Sequence, residues 1–457
     1  MRKRYSRPER NTMLRQKSWL FLLVAALLLL PGSGCDSPET PENVETPTWS
    51  TEPSETTGQT RPTETGSPTE STQATEPSVE PSTEPTAEPT AEPTVEPTVE
   101  PTEAPTQAPT TPPPMEIKVS PDQTEVLLVP SNVRGFFRRD LSKEVELAIY
   151  SYKPMNQRID VAVPVTITVD ISNIPAGLTV TSVTVTLFDN AERTNGQEYH
   201  LPAGKLSVDI HFLLARHQYY YQVRIAFSDG SSRLLDASFR TAALPRILSI
   251  DGVVNFRDIG GYTTTDGYVI RQGLFYRGSE LDGAVKSEYK LTETGRRQML
   301  EILGIRTDLD LRYLGDIGTP ASPLGPGVTY FVYDSPGYAD IFKAYGRSVV
   351  RQIFTELANP DRYPVYLHCT YGTDRTGTIC YLLGALLGVS ETDLQREYEL
   401  STLYHTWVNS PGYQSMVAQL NTYEGDTLKD KAENFLQECG VLPEQIAQIR
   451  SIFLEKQ

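Results

Sequence analysis

Tyr363-Pro-Val-Tyr-Leu-His-Cys-Thr-Tyr-Gly-Thr-Asp-Arg-Thr-Gly377 is the stretch on which the fold of this chain turns. Val365 to Leu367 form a short apolar run behind a proline, the pattern of a buried strand. The next apolar positions, Ile379, Leu382, Leu383, Leu386 and Leu387, recur at the spacing of one helix face. The residues between them therefore fill a strand-to-helix turn. There, successive backbone N–H groups and a helix N-terminus converge into a cradle for an anion.

That cradle, formed by Thr370, Tyr371, Gly372 and Thr373, is the candidate substrate-binding loop. Cys369 lies at its base, where the field that binds phosphate also favours a thiolate, so it is the candidate nucleophile. Arg375, six positions on, offers a planar fork to two phosphate oxygens and to the charge of a transition state. Gly372 allows a backbone conformation that a side chain opposes. Thr376 is placed to hydrogen-bond the thiolate, and His368 to orient the loop from behind. Cys380 and Cys439 fall in apolar helical patterns and read as core residues.

At these residues the chain resembles the cysteine-dependent protein tyrosine phosphatase superfamily, whose signature is His-Cys-x5-Arg-Ser/Thr. More narrowly it is similar to a bacterial secreted group with dual-specificity and phosphoinositide activity. Asn255-Phe-Arg-Asp-Ile-Gly-Gly-Tyr262, Leu274-Phe-Tyr-Arg-Gly-Ser279 and Thr307-Asp-Leu-Asp-Leu-Arg312 carry that narrower likeness. The resemblance spans about 246–457 and implies two-step phosphomonoester hydrolysis through phosphocysteine. It calls for no metal and no cofactor. Phosphotyrosine protein is the leading substrate, followed by phosphoinositides or inositol phosphates. Where the group usually has Lys before the Asp-Arg pair, this chain has Thr373, which removes one cation from the case for multiply phosphorylated substrates. Three aspartates are candidates for the general acid. Asp374 lies inside the loop, Asp334 lies 35 residues before Cys369, and Asp310 lies in the Asp-Leu-Arg stretch. Asn255, Arg257 and Asp258 read better as ties between the start of the domain and its sheet than as catalytic groups.

Around the motif, Thr294–Leu303 is expected as a helix, Val328–Tyr333 as a strand and Tyr338–Leu357 as one long helix. Ser390-Glu-Thr-Asp393 opens another helix as a capping box. The expectation for 246–457 is an α/β domain, a mainly parallel sheet flanked by helices with its site at the strands' carboxyl ends.

Upstream, 115–245 alternates with period two in Val161–Ile171, Val183–Leu187 and Tyr219–Phe227, with a turn at Ser228–Ser231 and a return over Leu234–Thr241. That predicts an all-β sandwich, and its last hairpin resembles a fibronectin type III or immunoglobulin-like module. His200, His211 and His217 lack ligand spacing. Docking, spacing or presentation of a cell-wall or host-surface ligand is the expected role.

The first 114 residues carry no such patterns. Residues 1–35 sum to a charge of +6, and an apolar run of 12 residues ends at Pro31-Gly32-Ser33-Gly34-Cys35. This resembles a lipoprotein signal with Cys35 as the lipidated residue, although Gly32 stands where Leu is usual; Met13 is an alternative start. Residues 36–114 hold eighteen of the 35 prolines and a charge of −15, a disordered, acidic, polyproline-rich tether. At about 3.1 Å per residue it reaches on the order of 200 Å. The expected location is the outer face of a bacterial membrane, of Gram-positive type. The remaining residues sum to −8 within a total of −17, which argues against nucleic acid as a partner. Four cysteines in 457 residues exclude a disulfide scaffold. Two readings of another class stay open: a surface module that only binds a phosphorylated ligand, and an adhesin to which the catalytic part is secondary.

Overall fold

The computed structural model describes residues 113–143, 149–152, 157–404 and 410–456. The signal, Cys35 and nearly all of the tether lie outside the described residues. Those described belong to one compact unit, Glu103–Gln457.

Its first part contains β1 (Glu116–Ser120), β2 (Thr124–Val126), α1 (Ser131–Phe137), β3 (Val165–Ser172), β4 (Val180–Phe188), β5 (Gln197–Leu201), β6 (Ser207–Ile210), β7 (Gln218–Phe227) and β8 (Ser232–Thr241). The alternating stretch from Val161 becomes strand only at Val165, directly after Pro164, whose missing N–H suits the start of a strand. β1, β3 and β6 form a three-stranded antiparallel sheet. A five-stranded sheet has the order β2-β8-β7-β4-β5, antiparallel except for the β2–β8 pair at its edge. Val165, Ile167 and Val169 from one sheet, and Val183, Val185, Tyr221, Val223 and Ile225 from the other, are buried in one contiguous core. Alternation puts them on one face of each strand. The helix α1 and the parallel edge pair were not legible in that alternation.

The second part contains β9 (Arg257–Asp258), β10 (Tyr268–Ile270), β11 (Phe275–Gly278), α2 (Glu293–Arg297), β12 (Thr307–Asp310), β13 (Thr329–Val332), α3 (Ala344–Leu357), β14 (Val365–His368), α4 (Asp374–Leu387), α5 (Glu391–Glu399), α6 (Ser410–Leu420), α7 (Leu428–Glu438), α8 (Pro443–Phe453) and β15 (Leu454–Lys456). Its main sheet has the order β13-β12-β14-β11-β9, parallel throughout except for β9. Four parallel strands therefore deliver their carboxyl ends to one edge, the usual place for a site in an α/β sheet. α4 leaves from that edge and is buried on nearly every side, as its continuous apolar sequence requires.

Two helices differ from expectation. After α2, which Thr292 caps by accepting from Gly295 N, the chain widens into a π-turn at Gln298–Ile302. Tyr338–Leu357 is not one helix: a 3-10 turn, Tyr338–Phe342, is separated from α3 by an extended Lys343. The segment also starts from a residue bonded to α4. Tyr338 adopts a left-handed φ of 54° and its N–H donates to Thr378 Oγ1 of α4 at 2.9 Å. At α5, Ser390 Oγ accepts from Asp393 N at 3.2 Å, one half of the expected capping box.

Candidate active site

β14 ends at His368 and α4 begins at Asp374, so 369–373 make the turn between them. The carbonyls of Thr370, Tyr371, Gly372 and Thr373 each accept from a donor outside the turn. Thr370 O accepts from Glu280 N at 3.1 Å. Tyr371 O accepts from Asn255 Nδ2 at 3.1 Å and from Tyr404 Oη at 2.9 Å. Gly372 O and Thr373 O accept from Arg277 Nη2 at 2.6 and 3.3 Å. Holding carbonyls outward turns the intervening N–H groups toward the other side of the loop, where Cys369 lies buried at its start. No side chain caps the first turn of α4, so its N–H groups add to the same cradle. Gly372 has φ +68°, and a Cβ there would lie 2.2 Å from Gly278 O, so both the conformation and the seat against β11 require glycine.

A buried charge cluster fixes this arrangement from behind. Arg277, with no exposed surface, binds both oxygens of Glu397 at 3.0 and 2.7 Å, and Arg257 Nε binds the same carboxylate at 2.8 Å. Burial raises the pKa of Glu397, but the two guanidinium groups outweigh it and hold the carboxyl below its ordinary value. Asp258 accepts from Gly260 N and Gly273 N at 2.7 and 2.6 Å and pairs with Arg246, which is the tying role expected of it.

Among the described residues, Arg375, at the mouth, is held by long contacts. Its Nη1 is 3.4 Å from Leu311 O and 3.8 Å from Asp316 Oδ2, and its Nη2 is 3.3 Å from Thr370 Oγ1. The guanidinium carbon is 4.6 Å from the ring centre of Tyr313. Such contacts place the fork while leaving its donors able to take two oxygens of a bound anion.

The three aspartates have different surroundings. Asp310 is fully buried, bonded to Arg312 Nη2 at 2.7 Å and Tyr330 Oη at 2.8 Å. Burial raises its pKa, yet His368 and Arg312 together bring it below the ordinary value. Asp374 Oδ1 accepts from Tyr338 Oη, which in turn accepts from Tyr398 Oη at 3.1 Å. Asp334 precedes Gly337, on which a Cβ would lie 3.5 Å from Arg375 Cγ, so that loop also borders the mouth. The sequence leads one to expect His368 to orient the loop by hydrogen bonds, but neither ring nitrogen makes one among the described residues. Its Nε2 lies 2.9 Å from Asp308 Oδ1, an ion-pair distance without hydrogen-bond alignment, and Nδ1 lies 3.9 Å from Asp310. Burial lowers the imidazole pKa, but Asp310 and Asp308 outweigh it and push it up to about 9. Thr376 Oγ1 is buried with no hydrogen-bond partner among the described residues. Burial pushes the thiols of Cys380 and Cys439 up to about 12, as suits core cysteines.

The rim is aromatic. Tyr289 meets Tyr371 edge-on at 6.0 Å between ring centres, and Lys286 Nζ lies 5.5 Å over the Tyr371 ring. Glu280 accepts from Lys286 N at 2.6 Å and from Arg312 Nη1 at 2.7 Å, so the Lys286 segment is fastened to the loop's own neighbours. Arg277, Glu280, Arg312 and Glu397 were not singled out from the sequence. The first and third were quoted within motifs; the acids carry no local signal.

Comparison with known proteins places similarity in the same part of the chain. Residues 248–455 match a family model described as "Tyrosine phosphatase family". A tyrosine-protein phosphatase of Nostoc commune is 29% identical over 166 residues, covering 36% of this chain and 52% of the relative. A Cupriavidus necator protein named as a tyrosine-protein phosphatase is 27% identical over 176 residues, covering 33% of this chain and 61% of the relative. The chain thus spans between half and two thirds of the length of these relatives. The catalytic core of the PP-IP phosphatase SIW14 of S. cerevisiae aligns over 44% of this chain and 98% of its own, at 16% identity and a TM-score of 0.26. The C-terminal residues 248–455 thus resemble the tyrosine phosphatase family, and the match supports a phosphatase enzyme.

Proposed function

We propose that this protein is a phosphomonoester hydrolase working outside the cell, with phosphotyrosine protein as its first substrate class and Cys369 as nucleophile. The observation that carries the reading is the loop itself: outward-held carbonyls, an uncapped helix start, Cys369 at the base and a loosely held Arg375 at the mouth. In the first step Cys369 Sγ attacks phosphorus, the P–O bond to the alcohol or phenol breaks, and the leaving oxygen takes a proton from Asp374. In the second, water attacks the phosphocysteine, gives its proton to Asp374 and releases inorganic phosphate and the thiolate. Arg375 and the loop N–H groups bind the equatorial oxygens throughout. Asp374 is favoured because it opens α4 directly after the loop, beside Arg375, with one oxygen anchored by Tyr338. Asp310 is occupied as an anion by Arg312 and Tyr330, and Asp334 is the alternative donor. Thr376, its hydroxyl otherwise unbonded, suits stabilisation of the departing thiolate.

The two sheets of the first part support a β-sandwich that spaces or docks the catalytic domain. Cys35 supports a lipid anchor and the tether a reach beyond the membrane; Cys35→Ser would then release the protein into the medium. The central test is hydrolysis of an aryl phosphate by the full chain in the presence of chelator. Turnover is expected in the wild type, with Cys369→Ser and Arg375→Ala each lowering it by at least about 10³-fold. A wild type that binds vanadate yet turns nothing over would instead support the binding-module reading.

A further inference from the structure

Residues 157–163 belong to the upstream part of the chain, about 90 positions before the family match begins at 248, yet they are bonded to the segment that carries Asn255, a residue holding the catalytic loop. Ile159 N donates to Leu403 O at 2.9 Å, and Ala162 N donates to Ser249 Oγ at 3.0 Å. Between them, Asp160 is buried, with 3% of its surface exposed. Its Oδ2 accepts from Asn255 N at 2.7 Å, and its Oδ1 binds Arg158 Nε at 2.5 Å. Arg158 Nη2 also reaches Val253 O at 3.4 Å, so both sides of the carboxylate are tied to the segment carrying Asn255.

Asn255 is the residue that needs such a tie. It has a left-handed φ of 57°, a conformation with an energetic cost outside glycine that the surroundings must offset. In that conformation its side chain donates from Nδ2 to Tyr371 O at 3.1 Å and Ser401 Oγ at 3.2 Å. The chain of contact is therefore Asp160 carboxylate, Asn255 backbone, Asn255 side chain, Tyr371 carbonyl.

We propose that Asp160 is a positioning residue of the active site, acting through Asn255 to keep the Tyr371 carbonyl outward and its neighbouring N–H groups turned to the substrate phosphate. The strap 157–163 is thus a working part of the catalytic apparatus supplied from outside the phosphatase domain. This rests on the phosphatase reading above, and it deepens that reading by naming what sets the loop.

The test uses the full chain with Asp160→Ala, Asp160→Asn, Asn255→Ala and the Asp160→Ala/Asn255→Ala pair. It reads kcat and KM for an aryl phosphate, the dissociation constant of inorganic phosphate, and near-ultraviolet circular dichroism for folding. Asp160→Ala is expected to lower kcat about tenfold and weaken phosphate binding. Asp160→Asn, which still offers an acceptor to Asn255 N–H, is expected to recover most of that loss. The double variant should be no worse than Asn255→Ala alone. A folded Asp160→Ala with wild-type kcat and phosphate affinity overturns the proposal, as does a double variant whose loss is the product of the single losses. If Asp160→Ala does not fold, Asp160→Asn decides: a loss as large as that of Asn255→Ala overturns it. If the wild type hydrolyses nothing, the phosphatase reading fails, while phosphate affinity across the same variants still reads the positioning.

Discussion

His368 shows how a single motif residue can be placed correctly and understood wrongly from sequence. Its position beside Cys369 is fixed by the motif, but its partners, Asp308 and Asp310, come from a neighbouring strand whose register with β14 is a tertiary fact. The consequence is a buried imidazole whose pKa is raised to about 9 by two carboxylates that overcome its burial. A raised folded-state value means that the stabilisation is complete below the unfolded-state value of about 6.5 and is lost as pH climbs through about 9. The unfolding free energy of wild type should therefore exceed that of His368→Gln by a few kcal/mol, on the order set by the shift, at pH 6, and the gap should narrow by pH 9.5. Denaturant unfolding at several pH values measures it; a gap that does not change with pH contradicts the assignment.

At the scale of elements, α5 matters to the site more than its sequence announces. Ser390 marked its start, but nothing local shows that Glu397, on its inner face, bonds Arg277 and Arg257 from 120 and 140 residues away. Removing that carboxylate leaves two buried guanidinium groups facing each other, a loss of about 3–5 kcal/mol. Glu397→Ala should be destabilised by that amount in denaturant unfolding, and its residual activity should fall because Arg277 also holds Gly372 O. A variant as stable as wild type would mean that the cluster relaxes without consequence. Strands read far more easily. Period-two alternation located β3, β4 and β7, the turn after β7 located β8, and the apolar run before Cys369 located β14, because burial of one face or both is written directly in such patterns. The long helix expected over 338–357 is interrupted at Lys343, whose extended backbone the helical spacing did not announce.

For the whole molecule, the change of pattern near 245 marks where one kind of sequence gives way to another, and the packing runs across it. Arg139, just past α1, pairs with Glu399 of α5 in a buried setting. Ala215 exchanges two hydrogen bonds of 2.9 Å with the side chain of Gln272, and Arg246 Nε donates to Leu213 O at 2.9 Å. A fragment of 246–457 would lose all of these together with Asp160 and expose their apolar surroundings. It should melt several degrees below the full chain, by the ordinary conversion of a few kcal/mol, and bind phosphate more weakly. Equal melting temperatures in scanning calorimetry would show the two parts to be independent.

The central claim is that a phosphoryl group passes through Cys369. It is tested most directly by quenching the full chain in alkaline denaturant during turnover of a phosphorylated substrate and mapping the modified peptide by mass spectrometry, with Asp374→Asn included to change the balance of the two steps. The account predicts alkali-stable, acid-labile phosphate on the peptide containing Cys369 in wild type, and none in Cys369→Ser. Turnover that leaves Cys369 unmodified, or that persists in Cys369→Ser, would contradict it.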